Sequence, residues 1–209
     1  VLVDLLEERF RVLTGGARSA LPRQQTLAAT IDWSYRLLGP NEQTVFRRLS
    51  VFRGGWSHDA LHVIAGGDIE DADLVEILPS LVVVDDSGFE PRYSMLETVR
   101  QFSLDACEQT GETDLVRGRH ADYLEAFVID VGRHLTGADD IVWLRRTTRE
   151  LDNLRQAMSW CVEHDRATQA LQIASQLWEY WAVTQRPLEG ITWIHRTRDA
   201  AADIPDSLR

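Results

Sequence analysis

The sequence predicts a mainly α-helical chain that carries one short β-hairpin. Apolar residues recur at helical spacing through most of its 209 residues. One island departs from that period: Leu81-Val82-Val83-Val84-Asp85-Asp86-Ser87-Gly88-Phe89-Glu90-Pro91-Arg92-Tyr93-Ser94-Met95 places two strand-forming runs around a turn-forming centre. Three short helical patterns precede the island and a fourth follows it. Residues 41–111 therefore spell helix–helix–helix–hairpin–helix, the layout of a winged-helix domain.

The elements fall into three sections. Residues 1–40 hold a short helix ending near Leu13, a loop with Thr14-Gly15-Gly16 and Leu21-Pro22, and a helix from about Gln25 to Leu38. Thr26 suits its cap, and Leu27, Ile31, Ser34 or Tyr35, and Leu38 keep near-helical spacing until Gly39-Pro40 stops it. In residues 41–111, Asn41 is the expected cap of Glu42–Phe52, whose Val45, Phe46, Leu49 and Phe52 share one face. Gly54-Gly55 ends that helix, Ser57 caps His58–Ala65, and a third helix covers Asp71–Pro79. After the hairpin comes a helix from Glu97 to Gln109. Residues 112–209 show only helices: Thr113–Leu135, Asp139–Glu163, Ala167–Thr184 and a fourth opened by Pro187. Paired helices of this length joined by short loops suggest the start of an α-solenoid, a stack that needs several repeats to bury its faces.

A winged helix usually reads DNA, but the charges here argue against it. Between Asn41 and Gly111 five Arg stand against thirteen Asp and Glu, a net charge of −8. Phosphate neutralisation supplies most non-specific affinity for nucleic acid, so a reader needs cations on the element that enters the groove. The expected third helix, Asp71-Ala72-Asp73-Leu74-Val75-Glu76-Ile77-Leu78-Pro79, carries three acids and no base. Asp85, Asp86 and Glu90 repeat that pattern at the hairpin tip.

The rest of the chain agrees. Its formal charge is −11, and all 22 basic residues are Arg. The lack of lysine excludes a P-loop phosphate clamp or a Schiff base within this chain. Cys107 and Cys161 have no metal-ligand spacing and are expected to be buried free thiols of a cytoplasmic protein. There is no run of about 18 apolar residues and no signal peptide, so no membrane partner is expected. The start at Val1, without Met, suggests a piece of something longer.

Few residues suggest chemistry. His58-Asp59-Ala60-Leu61-His62 has the i,i+4 pair of a zinc helix, yet a zinc protease wants Glu as base and a third ligand. The expected reading is two surface histidines, with no metal and no catalytic residue assigned. The cluster Arg145-Arg146-Thr147-Thr148-Arg149 has Glu150 four residues after Arg146, which suits a self-paired solvated face. Among Trp143, Trp160, Trp178, Trp181 and Trp193, most are expected in the core, while Trp178, Trp181 and Trp193 are candidates for binding a partner.

Several segments resemble one family. Leu21-Pro22-Arg23-Gln24-Gln25-Thr26-Leu27, then Ile31-Asp32-Trp33-Ser34-Tyr35-Arg36-Leu37-Leu38, then Phe46-Arg47-Arg48-Leu49-Ser50-Val51-Phe52-Arg53-Gly54-Gly55 look like the post-ATPase region of bacterial STAND regulators. These are NB-ARC-like signalling ATPases of actinobacteria, often joined to adenylate cyclase or LuxR-type DNA-binding domains. Tyr93-Ser94-Met95-Leu96-Glu97-Thr98-Val99-Arg100-Gln101-Phe102 matches the family's segment after the wing. Glu150-Leu151-Asp152-Asn153-Leu154-Arg155-Gln156-Ala157 matches its first tetratricopeptide-like helices.

The resemblance implies a switch. An upstream P-loop domain would bind ATP or ADP, the winged helix (41–111) would pack on it, and the incomplete tetratricopeptide-like region (112–209) would sense a protein or small molecule. Residues 1–40 would be the helical linker from the ATPase module. Met95, Leu96 and Glu97 occupy the positions of a Met-His-Asp motif that sets a His near the nucleotide in plant and animal relatives. Leu96 replaces that His and removes the imidazole. The leading expectation is a non-catalytic regulatory piece without a cofactor of its own. The alternatives are a DNA-binding winged-helix transcription factor, a peptide-binding helical scaffold and a metal hydrolase using His58 and His62.

Overall fold

The structure, a computed structural model, describes residues 29–66, 82–86, 90–135 and 139–202. The short first helix, the 14–22 loop, the Thr26 cap, the third helix at 71–79 and the hairpin tip at 87–89 lie outside the described residues. The rest is mainly helical with a single two-stranded antiparallel sheet, as the sequence predicts. It divides into two compact units, one up to Val116 and the other from Arg117.

In the first unit, α1 comprises the helical residues 29–36 and α2 runs Pro40–Leu49. The cap of α2 is Gly39, not Asn41, and the helix ends three residues before Phe52. Pro40 explains the shift: it lacks an N–H, which the first helical turn does not need, and its φ is already helical. The Glu42 carboxylate then accepts from the Gly39 N–H. Next comes α3, His58–Leu61, capped by Ser57, whose Oγ accepts from the Ala60 N–H at 3.3 Å. The expected helix to Ala65 does continue, but His62–Gly66 widens into a π turn.

Strand β1 (Val83–Asp85) pairs with β2 (Arg92–Ser94), Val84 opposite Tyr93. On the other edge of β2, Trp56 bridges Tyr93 through two backbone hydrogen bonds of 2.8 and 3.0 Å. That bridge needs Gly55: its φ is +87°, and a Cβ there would lie 2.4 Å from the Tyr93 carbonyl oxygen. Helix α4 (Glu97–Thr110) closes on Gly111 at φ 72°. The unit's core joins Ile31, Phe46 and Val99, with Tyr35, Leu38, Met95 and Phe102 packed against them. Tyr35, Phe46 and Phe102 form a ring cluster with centroids 5.5–6.3 Å apart, tilted or, for Tyr35 and Phe102, edge-on, which avoids the unfavourable face-to-face sandwich.

The second unit contains most of α5 (Thr113–His134), then α6 (Asp140–Glu163), α7 (Ala167–Gln176), α8 (Trp178–Val183) and α9 (Pro187–Ala202). The single helix expected over 167–184 is bent at Leu177, where ψ is 1°, although hydrogen bonds continue on both sides. Two connections share one design. Asp165 and Gln185 both sit at φ 58°, and the N–H groups of Arg166 and Arg186 return to the carbonyls of Cys161 and Trp181. This six-to-one closure satisfies carbonyls left open at a helix end. The core includes Leu124, Val128, Leu154, Met158, Leu177, Tyr180 and Trp181.

Gly190 is closely packed in that core. A Cβ there would lie 2.5 Å from the Trp181 ring, and both residues are buried. We expect Gly190→Ala to lower the unfolding free energy by about 1–3 kcal/mol through overpacking. Urea titration followed by Trp fluorescence would show the midpoint falling with an unchanged slope.

Candidate functional site

The positions matched to the switch motif lie where β2 leads into α4. Met95 turns inward against Ile31, Phe46 and Val99. Leu96, at the N-cap of α4, points outward and is 45% exposed. Glu97 opens the helix, where an acid faces the positive end of the dipole. Its carboxylate grips Arg100 by two bonds, Nε at 2.8 Å and Nη2 at 2.6 Å. Those bonds hold the Glu97 carboxyl below its ordinary range, against a smaller opposing effect of burial, and the Arg53 charge adds to the lowering. Arg100 is itself buried, and its Nη1 donates to the Ser50 carbonyl at 3.2 Å.

The same theme governs Arg47, Arg48 and Arg92. Arg47 donates from Nε to Glu112 at 2.9 Å, from Nη1 to the Tyr35 hydroxyl at 2.9 Å and from Nη2 to Thr44 at 3.1 Å. Arg48 donates to Glu112 at 3.2 Å and to the Ala65 carbonyl at 3.1 Å, the latter inside the π turn. Arg92 donates to the carbonyls of Gly54 and Gly55, each at 2.9 Å. Of the five Arg between residues 41 and 111, these bonds hold Arg47, Arg48, Arg92 and Arg100, while Arg53 is exposed and its charge acts on Glu97. Cations fixed on internal acceptors cannot also reach phosphate without giving up those bonds. Meanwhile Asp59, Asp85, Asp86, Asp105 and Glu108 are exposed.

Glu112 was not singled out by sequence reasoning. It follows Gly111 and collects both Arg47 and Arg48, about 65 residues earlier in the chain. Burial pushes its carboxyl up, but the hydrogen bonds and charges of the two guanidinium groups outweigh that and leave it below the ordinary value. No local pattern announces such a pairing; the only hint is an acid directly after a helix-stopping glycine.

The tryptophan candidates separate in the second unit. Trp178 is 51% exposed, whereas Trp181 is fully enclosed and packs on Gly190, so no partner can reach it. Trp193 is half-buried against the core, with the Arg196 guanidinium 5.2 Å from its ring centre. Trp143 carries Arg146 at 5.1 Å and a stacked His134 at 4.7 Å. Cys107 and Cys161 are buried free thiols, as expected. Burial pushes the Cys161 thiol up to about 11, and its Sγ donates to Gln169. His120 is buried within α5, and burial pushes it down to about 3. Among the described residues, no three His, Cys, Asp or Glu side chains gather in a metal-binding group, and no helix is long and apolar enough to cross a membrane.

Over 200 residues, 93% of its length, the chain is 40% identical to proteins of Mycobacterium bovis and Mycobacterium tuberculosis whose provisional name is HTH-type transcriptional regulator. Over 130 residues it is 35% identical to uncharacterized proteins of the same two species. The first match spans 22% of the relatives' length and the second 32%, so the chain corresponds to about a fifth of the regulators it resembles. No family model and no solved structure matches it.

The Glu112 joint has a pH signature. A carboxyl held low by the fold binds protons first in the unfolded chain, so its contribution is complete above the ordinary Glu value of 4.5 and is lost as pH falls through the lower folded value. Glu97 acts with the same sign. Glu112→Gln should cost about 1–3 kcal/mol at pH 7, since it leaves two enclosed guanidinium groups without their carboxylate. Urea unfolding at pH 7 and pH 4 should show a smaller pH effect in the variant than in the parent chain.

Proposed function

We propose that this chain is a non-catalytic regulatory part of a longer transcriptional regulator of the STAND type. On this reading the winged helix docks on an upstream nucleotide-binding domain, and the helical second unit receives a protein or small-molecule signal. The observation that carries it is the use of the arginines. Arg47, Arg48, Arg92 and Arg100 are bonded to acceptors of the first unit, and among the described residues of 41–111 the exposed charges are mostly acids. A surface retained for docking on protein has no need of phosphate complementarity. The provisional name of the mycobacterial relatives supports a regulatory role, and their greater length leaves room for further domains.

ATP or ADP would bind the upstream domain rather than this chain, and any turnover would occur there. Glu97 would set the start of α4 through Arg100 in place of the motif's acid, while Leu96 offers the docked domain an apolar contact. Of the three tryptophan candidates, Trp178 and Trp193 would be available for a signal on the second unit, in a cytoplasmic protein. A second reading, DNA binding by the winged helix, draws on the name of the relatives.

Calorimetric titration of this chain into the nucleotide-binding domain of the same longer protein tests the proposal. Saturable association that is stronger with ADP than with ATP, and weakened by Leu96→Glu, is expected. Absence of heat in both nucleotide states would contradict docking.

A further inference from the structure

The motif that the proposed function leaves unused is the histidine pair of α3. His58 is exposed and His62 half-exposed, and their rings face one another with centroids 4.6 Å apart at an interplanar angle of 45°. The i,i+4 spacing puts both imidazoles on one side of the helix, within reach of a shared ion. Two further features suit that use. His62 begins the π turn His62–Gly66, a form of helix common at functional sites, and the buried Arg48 fixes this turn by donating to the Ala65 carbonyl at 3.1 Å. The pair also lies in the section that carries a net charge of −8, whose field concentrates cations.

We propose that His58 and His62 form a bidentate surface site for a divalent transition metal ion. Imidazole selects zinc, nickel or copper over magnesium and calcium, which prefer oxygen ligands. With two protein ligands, the remaining coordination positions belong to water. The ion is therefore exchangeable and open to a further ligand, unlike a closed four-ligand structural zinc.

Calorimetric titration of the whole chain with zinc chloride and with nickel chloride tests this. One equivalent should bind, magnesium chloride at the same concentration should not compete, and EDTA should reverse binding. His58→Ala and His62→Ala should each weaken affinity by at least the roughly tenfold that a change just outside a metal's ligands costs. His195→Ala, at an exposed position on α9, should leave it unchanged. Circular dichroism verifies that each variant keeps its helices. Absence of saturable binding, binding that survives both substitutions, or equal competition by magnesium would overturn the proposal.

Discussion

One carboxylate organises the first unit. Glu112 takes Arg47 and Arg48 from α2, is joined by the Thr110 hydroxyl at the end of α4, and through Arg48 is linked to the π turn after α3. Arg100 does comparable work from the opposite direction, tying the start of α4 to the carbonyl at the end of α2. Enclosing charge is costly unless each guanidinium finds acceptors, and here the acceptors of Arg47, Arg48 and Arg100 are two carboxylates, the carbonyls of Ser50 and Ala65, and the hydroxyls of Tyr35 and Thr44. The hydrophobic cluster of Ile31, Phe46 and Val99 supplies non-directional attraction. The arginine network adds direction, since a rigid planar donor fork is satisfied by few arrangements of the surrounding helices.

That constraint has a functional side. Most of the cations within residues 41–111 are committed to acceptors of the fold, and among the described residues Asp59, Asp85, Asp86, Glu97, Asp105 and Glu108 are exposed. The sequence alone shows the imbalance of five Arg against thirteen acids. The structure sharpens it, because the effective positive surface is smaller than the count suggests. The proposed protein-facing role rests on that arrangement more than on the formal charge.

Much of the fold could be read from spacing, since period-2 and period-3.6 patterns report which side of an element is buried. The hairpin, the Ser57 cap and the long helices of the second unit are of this kind. The start of α2 went wrong because Pro40 both ends one helix and begins the next, and only the Glu42 bond to Gly39 settles which side it serves. The bend at Leu177 carries no Pro or Gly to mark it. Candidate site residues were less legible. Trp178 and Trp181 lie three apart in sequence, yet one is half exposed and the other enclosed, because only Trp181 meets Gly190. Glu112 escaped notice because its partners are distant in sequence and joined to it only by tertiary packing.

The central proposal is that residues 41–111 do not bind nucleic-acid phosphate. Fluorescence anisotropy of this chain with labelled duplex DNA, at low salt and again with added salt, tests it most directly, because electrostatic attraction is greatest at low ionic strength. No rise in anisotropy at low salt is the predicted result. Saturable binding that weakens steeply with salt would contradict the account and show that the exposed acids do not prevent nucleic-acid recognition.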